Sequence, residues 1–378
     1  MFQNLKVIDA DAHLQEPIDI WERYVEPAFY DRRPIVERHQ GKRFFSYSPG
    51  ELYPNGGGIR GIRPDKVTER SEEKYGDAYR SWWSVESRLT DMDKYGCDKM
   101  VCIPETNSGP TKLEGTDPNR IWSLNRSYNN WANDFCSSDP SRLKMVANLA
   151  SRDIEGIVSE ARRCVEDLGA VTIMMPSPRK GEFWDSPKYD AIWALAIELD
   201  FPVSFHRVNS GFPYTGSRYA GMPGTFIALE HAIGFPFDNM ISFAHLIYSG
   251  ILERNPTMRV SFLEGNAGWL PFWLGRLDDH LVGRQGVFFD HSPLALKPSE
   301  YFQRQIFVAC DCDELGLDGA IRIFGDNNLV WNTDYPHSDA PDPSKALPEF
   351  LDQPIPDTSK KKILCNNAVK LYGPRILD

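Results

Sequence analysis

Four residues in this chain have the types and spacing that hold a divalent metal. Asp11 and His13 close the run Val7-Ile-Asp-Ala-Asp-Ala-His13. Side chains alternate along a strand, so residues two apart share a face and a carboxylate sits beside an imidazole. Two later apolar runs end in the same kind of residue: Phe201-Pro-Val-Ser-Phe-His206 in a histidine, Leu329-Val-Trp-Asn-Thr-Asp334 in an aspartate. Asp-x-His alone is a short pattern, and a histidine after an apolar run is commonly a core residue. The pair at the first strand end can form half of a divalent-metal site, and the two later strand ends supply the other half.

Eight apolar or β-branched runs position these residues. They are 7–12, 99–103, 143–149, 171–175, 203–205, 259–263, 305–309 and 329–332. Helical segments separate them: Val85–Tyr95, a helix opened by Asp117-Pro118 and running to about Cys136, Asp153–Leu168, Ser186–Leu199 and Met240–Arg254. Short buried strands alternating with helices predict an α/β fold, a (β/α)8 barrel. The metal residues then fall on the first, fifth and eighth strands. Residues 22–84, rich in Arg, Tyr, Pro and Gly, break the alternation and predict an insertion after strand one within a single domain of 1–378. Loops after barrel strands line the active-site face, so this insertion is placed as a lid or substrate wall, and the connections 207–223 and 283–300 are placed near it.

Composition narrows the function classes. The chain has 378 residues, enough for a barrel plus insertions, and a net charge of −11 without a basic run, which argues against nucleic acid. No apolar run reaches the ~18 residues of a membrane span. Seven cysteines at scattered spacing fit a reducing compartment, and with a polar start they predict a cytoplasmic protein. The close pair Cys310-Asp-Cys312 reads as a strand residue and its neighbour.

With these residues in view, the chain resembles the amidohydrolase superfamily, and within it the group that includes aminocarboxymuconate-semialdehyde decarboxylase. The motifs are Asp9-Ala-Asp-Ala-His13, Arg88-Leu-Thr-Asp-Met-Asp93, Phe205-His206, Glu253-Arg-Asn-Pro256, Phe262-Leu-Glu-Gly-Asn-Ala-Gly-Trp-Leu-Pro271 and Thr333-Asp-Tyr-Pro-His337. The resemblance implies one divalent ion held by Asp11, His13, His206 and Asp334, with zinc first and iron or manganese as alternatives. Asp11 stands where many members have histidine and some decarboxylases have glutamate. Glu264 stands where the decarboxylases carry a catalytic histidine at the end of strand six. His245 does not replace it, because it lies in the apolar stretch read as a helix.

This departure favours a metal-dependent hydrolase of an amide, ester, lactone or thioester. Asp334 would take a proton from metal-activated water, and Glu264 would protonate the leaving group. The alternative is a metal-dependent, non-oxidative decarboxylase of an aromatic or unsaturated acid, and a second alternative is an inactive binding protein. Arg207 is placed to hold an anionic group of a small-molecule substrate. His337 is placed to touch substrate or orient Asp334. His39, His231, His280 and His291 read as structural or surface residues. Relatives are often dimers, so a homodimer is expected by analogy.

Overall fold

The structure is a computed structural model. It describes all residues other than 1–4, 40–41, 49–50, 55–63, 106–116, 150–152, 180, 207–214, 220–221, 223–224, 284–286 and 289–293. Its strands in chain order are β1 (Ile8–Leu14), β2 (Ile35–His39), β3 (Lys42–Ser48), β4 (Glu51–Pro54), β5 (Lys99–Pro104), β6 (Leu143–Ala147), β7 (Thr172–Met174), β8 (Val203–His206), β9 (Val260–Leu263), β10 (Ile306–Cys310) and β11 (Leu329–Trp331). The eight-stranded sheet runs β1-β5-β6-β7-β8-β9-β10-β11, with parallel neighbours throughout. A parallel bridge from Ala12 to Tyr335 closes it, and the chain is the expected (β/α)8 barrel.

The first strand does more than alternate. Its register against β5 shifts between Asp9 and Ala12. Ile8 and Ala10 join the cluster inside the barrel with Val101, Val146, Phe307 and Val330, whereas Ala12 and Leu14 join the layer between strands and helices. The bulge therefore switches parity. It lets Ile8 and Ala10 fill the barrel core while Asp11 and His13 face inward at its mouth. The C-terminal helix Asn367–Tyr372 closes the opposite end, with Ala368, Leu371 and Tyr372 in the inner cluster and the Tyr372 hydroxyl donating to the carbonyl of Ala10 at 3.2 Å.

Three helices start where their caps predict, whereas the segment opened by Ser186 begins as a short 3-10 turn, Pro187–Tyr189, and becomes α-helical only over Asp190–Glu198. Val85–Tyr95 is capped by Ser84, whose hydroxyl accepts from Ser87 N, and it ends at Gly96 with φ 72°. Asp117 caps Pro118–Cys136, and Asp153 caps Ile154–Glu166. The expectation of a helix beginning at Met240 is corrected: Phe226–Tyr248 is one helix containing Pro236, followed by Ile251–Arg254. An interior proline removes one backbone donor, yet the helix continues through it to the buried Phe243, Leu246 and Ile247.

Residues 22–84 are not an irregular loop. They contain a three-stranded antiparallel sheet in the order β2-β3-β4 and the helices Pro64–Tyr75 and Asp77–Arg80. The Tyr75 hydroxyl donates to the His337 carbonyl at 2.8 Å, and Lys74 Nζ donates to the Ser338 carbonyl at 3.0 Å, which ties this segment to the loop after β11. Among the described residues, no helix is long and apolar enough to cross a membrane.

Candidate metal centre

The strand ends bring Asp11, His13, His206 and Asp334 together, with one ligand atom from each lying within 4.8 Å of the others. His13 Nε2 is 3.4 Å from Asp11 Oδ1 and 3.2 Å from Asp334 Oδ1, and His206 Nε2 is 3.7 Å from Asp11 Oδ2. Asp11 and His13 are buried. Both Asp11 oxygens, His13 Nε2, His206 Nε2 and Asp334 Oδ1 are buried without a properly formed hydrogen bond. Buried polar groups normally pair, so a convergent set of unpaired oxygens and nitrogens fits a bound cation. Two carboxylates and two imidazoles suit zinc, iron or manganese.

The backbone holds these ligands by a few specific contacts. The guanidinium of Arg88 is fully buried, donates to the His13 carbonyl and lies 4.4 Å over the ring of Tyr335. The Tyr335 hydroxyl donates to Asp91 at 2.7 Å. The Arg88-to-Asp93 motif thus clamps the ends of β1 and β11. Asp334 N donates to the Asp11 carbonyl at 2.9 Å. Asp9 lies outside the ligand set: it accepts from the backbone N–H groups of Asp11 and Thr333, both at 3.1 Å. Burial pushes its carboxyl up to about 8.

Glu264 follows β9 and brings Oε2 to 2.8 Å from His206 Nε2. Its φ of 45° and that of Asp334, 57°, lie in the left-handed region, so both side chains project from strained strand ends. Gly265 allows this turn: a Cβ there would meet Asn239 Nδ2 at 2.1 Å, and Asn239 Nδ2 donates to the Leu263 carbonyl at 2.7 Å. The buried Glu314 accepts from Gly268 N at 2.9 Å and pins the same loop. Burial, and then the nearby Asp334, raise the Glu264 carboxyl well above its usual range.

His337 Nδ1 is 2.7 Å from Asp334 Oδ2, the contact that its expected role of orienting Asp334 requires. Sequence reasoning missed its other partner, Glu105, whose Oε2 is 2.8 Å from His337 Nε2. Burial opposes the charged forms here, but the pairing outweighs it. His337 is pushed well above its usual value by Asp334 and Glu105, and Asp334 is held below the carboxylate range by His337 and His13.

Beside these groups opens a cleft of about 500 Å³, lined by Glu264, Asn266, Asp311, Asn332 and Asp334 and reached by Arg70 and Lys74 of the 22–84 segment. His231, expected to be structural, also lines the cleft, with Nε2 3.5 Å from Asp339 Oδ2. Asp311, at the end of β10, was read only as the residue between two cysteines. His245 is apart from the site, 3.5 Å from Asp185. Arg207 and His291 lie outside the described residues, as does the His39 side chain.

Comparison with known proteins places this geometry. The amidohydrolase family profile matches residues 8–373. The chain is similar to 2-amino-3-carboxymuconate-6-semialdehyde decarboxylase of Dictyostelium discoideum, 24% identical over 80% of this chain and 87% of the relative. It is similar to gamma-resorcylate decarboxylase of Rhizobium sp. (strain MTP-10005), 23% identical over 76% of this chain and 86% of the relative. Its fold matches 5-carboxyvanillate decarboxylase of Novosphingobium aromaticivorans DSM 12444, solved with manganese and 4-hydroxy-3-methoxy-5-nitrobenzoic acid. That match has a TM-score of 0.67 and 21% identity over 98% of this chain and 97% of the other. These relatives overturn the expectation of a hydrolase or thioesterase. Glutamate in place of the strand-six histidine is therefore not a sign of hydrolysis.

Proposed function

Because the chain belongs to the amidohydrolase family, we propose that it is a metal-dependent, non-oxidative decarboxylase of a small aromatic or unsaturated carboxylic acid. The observation that carries this reading is the placement of the Glu264 carboxyl, 2.8 Å from His206 at the edge of the ligand set, where burial shifts it towards its protonated form. Asp11, His13, His206 and Asp334 are the residues that would hold the ion. Manganese in the carboxyvanillate decarboxylase moves the choice of metal from zinc towards manganese. When bound, a divalent ion supplies a Lewis acid that neutralises an anionic substrate group.

The chain's own residues supply the rest. Glu264 gives its proton to the carbon that bears the carboxylate. The bond to the carboxylate carbon then breaks, its electrons return to the conjugated system, and carbon dioxide leaves. Solvent restores the proton to Glu264. Proton transfer by a positioned side chain contributes about 10²–10⁴-fold. The 22–84 segment acts as a substrate wall: its Arg70 and Lys74, with Lys345, are the cations that line the cleft and meet an organic anion among the surrounding carboxylates.

The reading is tested by incubating manganese-loaded protein with a panel of hydroxybenzoic and conjugated unsaturated acids and measuring carbon dioxide. Release from at least one acid, lost on removing the metal, supports it. No release from any acid overturns it.

A further inference from the structure

We infer that Glu105 is a positioning residue for the metal ligands, with a single carboxylate oxygen setting the orientation of both His13 and, through His337, Asp334. The inference rests on the reading that Asp11, His13, His206 and Asp334 hold a divalent ion. Glu105 directly follows β5, the strand paired with β1, and so stands beside the end of the strand that carries His13. Its Oε2 lies 2.8 Å from His337 Nε2 and 3.5 Å from His13 Nδ1. The two rings lie side by side, with centroids 4.3 Å apart and planes tilted by 33°.

Each ring has one nitrogen at the Glu105 oxygen and its other nitrogen turned to the ligand set. His337 Nδ1 is 2.7 Å from Asp334 Oδ2, and His13 Nε2 is 3.2 Å from Asp334 Oδ1. The chain Glu105–His337–Asp334 therefore occupies one Asp334 oxygen and leaves the other for the cation. Imidazole χ2 is a broad, soft torsion, so a ring without an anchor can turn its nitrogen away from a ligand position. A carboxylate behind a metal-ligating histidine removes that freedom, and such outer partners are typically worth about 10–100-fold in metal affinity or activity. Glu105 is 12% exposed, which shields this anchor from competing water.

The experiment measures the manganese dissociation constant of wild-type protein, E105A and E105Q by the electron paramagnetic resonance of free Mn²⁺, with circular dichroism to check the fold. The expected result is E105A about 10–100-fold weaker with an unchanged fold. E105Q should recover part of the loss, because its amide oxygen still accepts from His337. E105A binding manganese as tightly as wild type overturns the inference, and so does E105Q as weak as E105A, since the charge alone would then matter. If E105A does not fold, E105D takes its place. It keeps the charge but withdraws the oxygen by one methylene, and unweakened binding by E105D is the contradicting result. Wild type that binds no manganese overturns both the metal reading and this inference. Wild type that binds manganese but releases no carbon dioxide removes only the decarboxylase reading.

Discussion

His206 and Glu264 meet at 2.8 Å, Nε2 to Oε2, and burial shifts both towards their neutral forms: it lowers the imidazole and raises the carboxyl. A neutral imidazole keeps the lone pair a cation needs, and a protonated carboxyl is the form the proposed reaction uses. This one contact joins the candidate ligand set to the proposed acid.

His206→Ala removes one of four converging ligands. Its metal affinity should fall by at least about 100-fold, since even residues that only orient a ligand are worth about 10–100-fold. Elemental analysis after gel filtration reads this directly. Full metal occupancy would take His206 out of the ligand set.

Glu264→Gln is nearly isosteric but has no acidic proton. It should keep its metal and lose about 10²–10⁴-fold in kcat. Steady-state carbon dioxide release with parallel metal analysis separates the two effects. Unchanged kcat would mean that another group delivers the proton.

Metal affinity should depend on pH through His13. Burial and the nearby His337 lower its pKa, but the carboxylates of Asp11 and Asp334 beside it prevail and raise it to about 9. The imidazole binds a cation only when neutral, so below that value a proton must leave as metal enters. Manganese affinity should therefore rise about tenfold per pH unit from pH 7 towards 9 and level off above. Titrations across this range check the sign. Affinity that is flat or falls with rising pH contradicts the assignment.

Arg88→Ala should destabilise the protein. A desolvated cation–π contact is worth about 2 kcal/mol and a hydrogen bond from a charged donor about 1.5–3 kcal/mol, so the loss should be roughly 3–5 kcal/mol. Urea denaturation of the metal-free protein gives the value. A loss below about 1 kcal/mol would show that Arg88 does not clamp the ends of β1 and β11.

The barrel could be read from the sequence because it follows local rules, and the candidate ligand set because those rules coincide with the family motifs. Each strand is a short apolar run, and Asp11, His13, His206 and Asp334 each sit at or just beyond the end of one. The pairing of Asp11 with His13 was expected from simple alternation, but the β1 bulge is what lets them share the barrel mouth with the core residues Ile8 and Ala10. A bulge leaves no mark in an alternating pattern. Glu105 was missed because its partner His337 is 232 positions away, and a lone glutamate after an apolar run carries no motif. The start of the helix at Phe226 was hidden by Pro236, whose effect depends on packing. The strands β2 to β4 were hidden in a segment rich in Arg, Tyr and Gly, where cross-strand pairing decides the structure.

The most direct measurement of the central claim is a reaction of the manganese-loaded protein in D₂O with the best acid from the panel, following the products by NMR and mass spectrometry. The account predicts one carbon dioxide per substrate and one deuterium on the carbon that carried the carboxylate. Release of an acid together with an alcohol, amine or thiol, with no carbon dioxide, would contradict it.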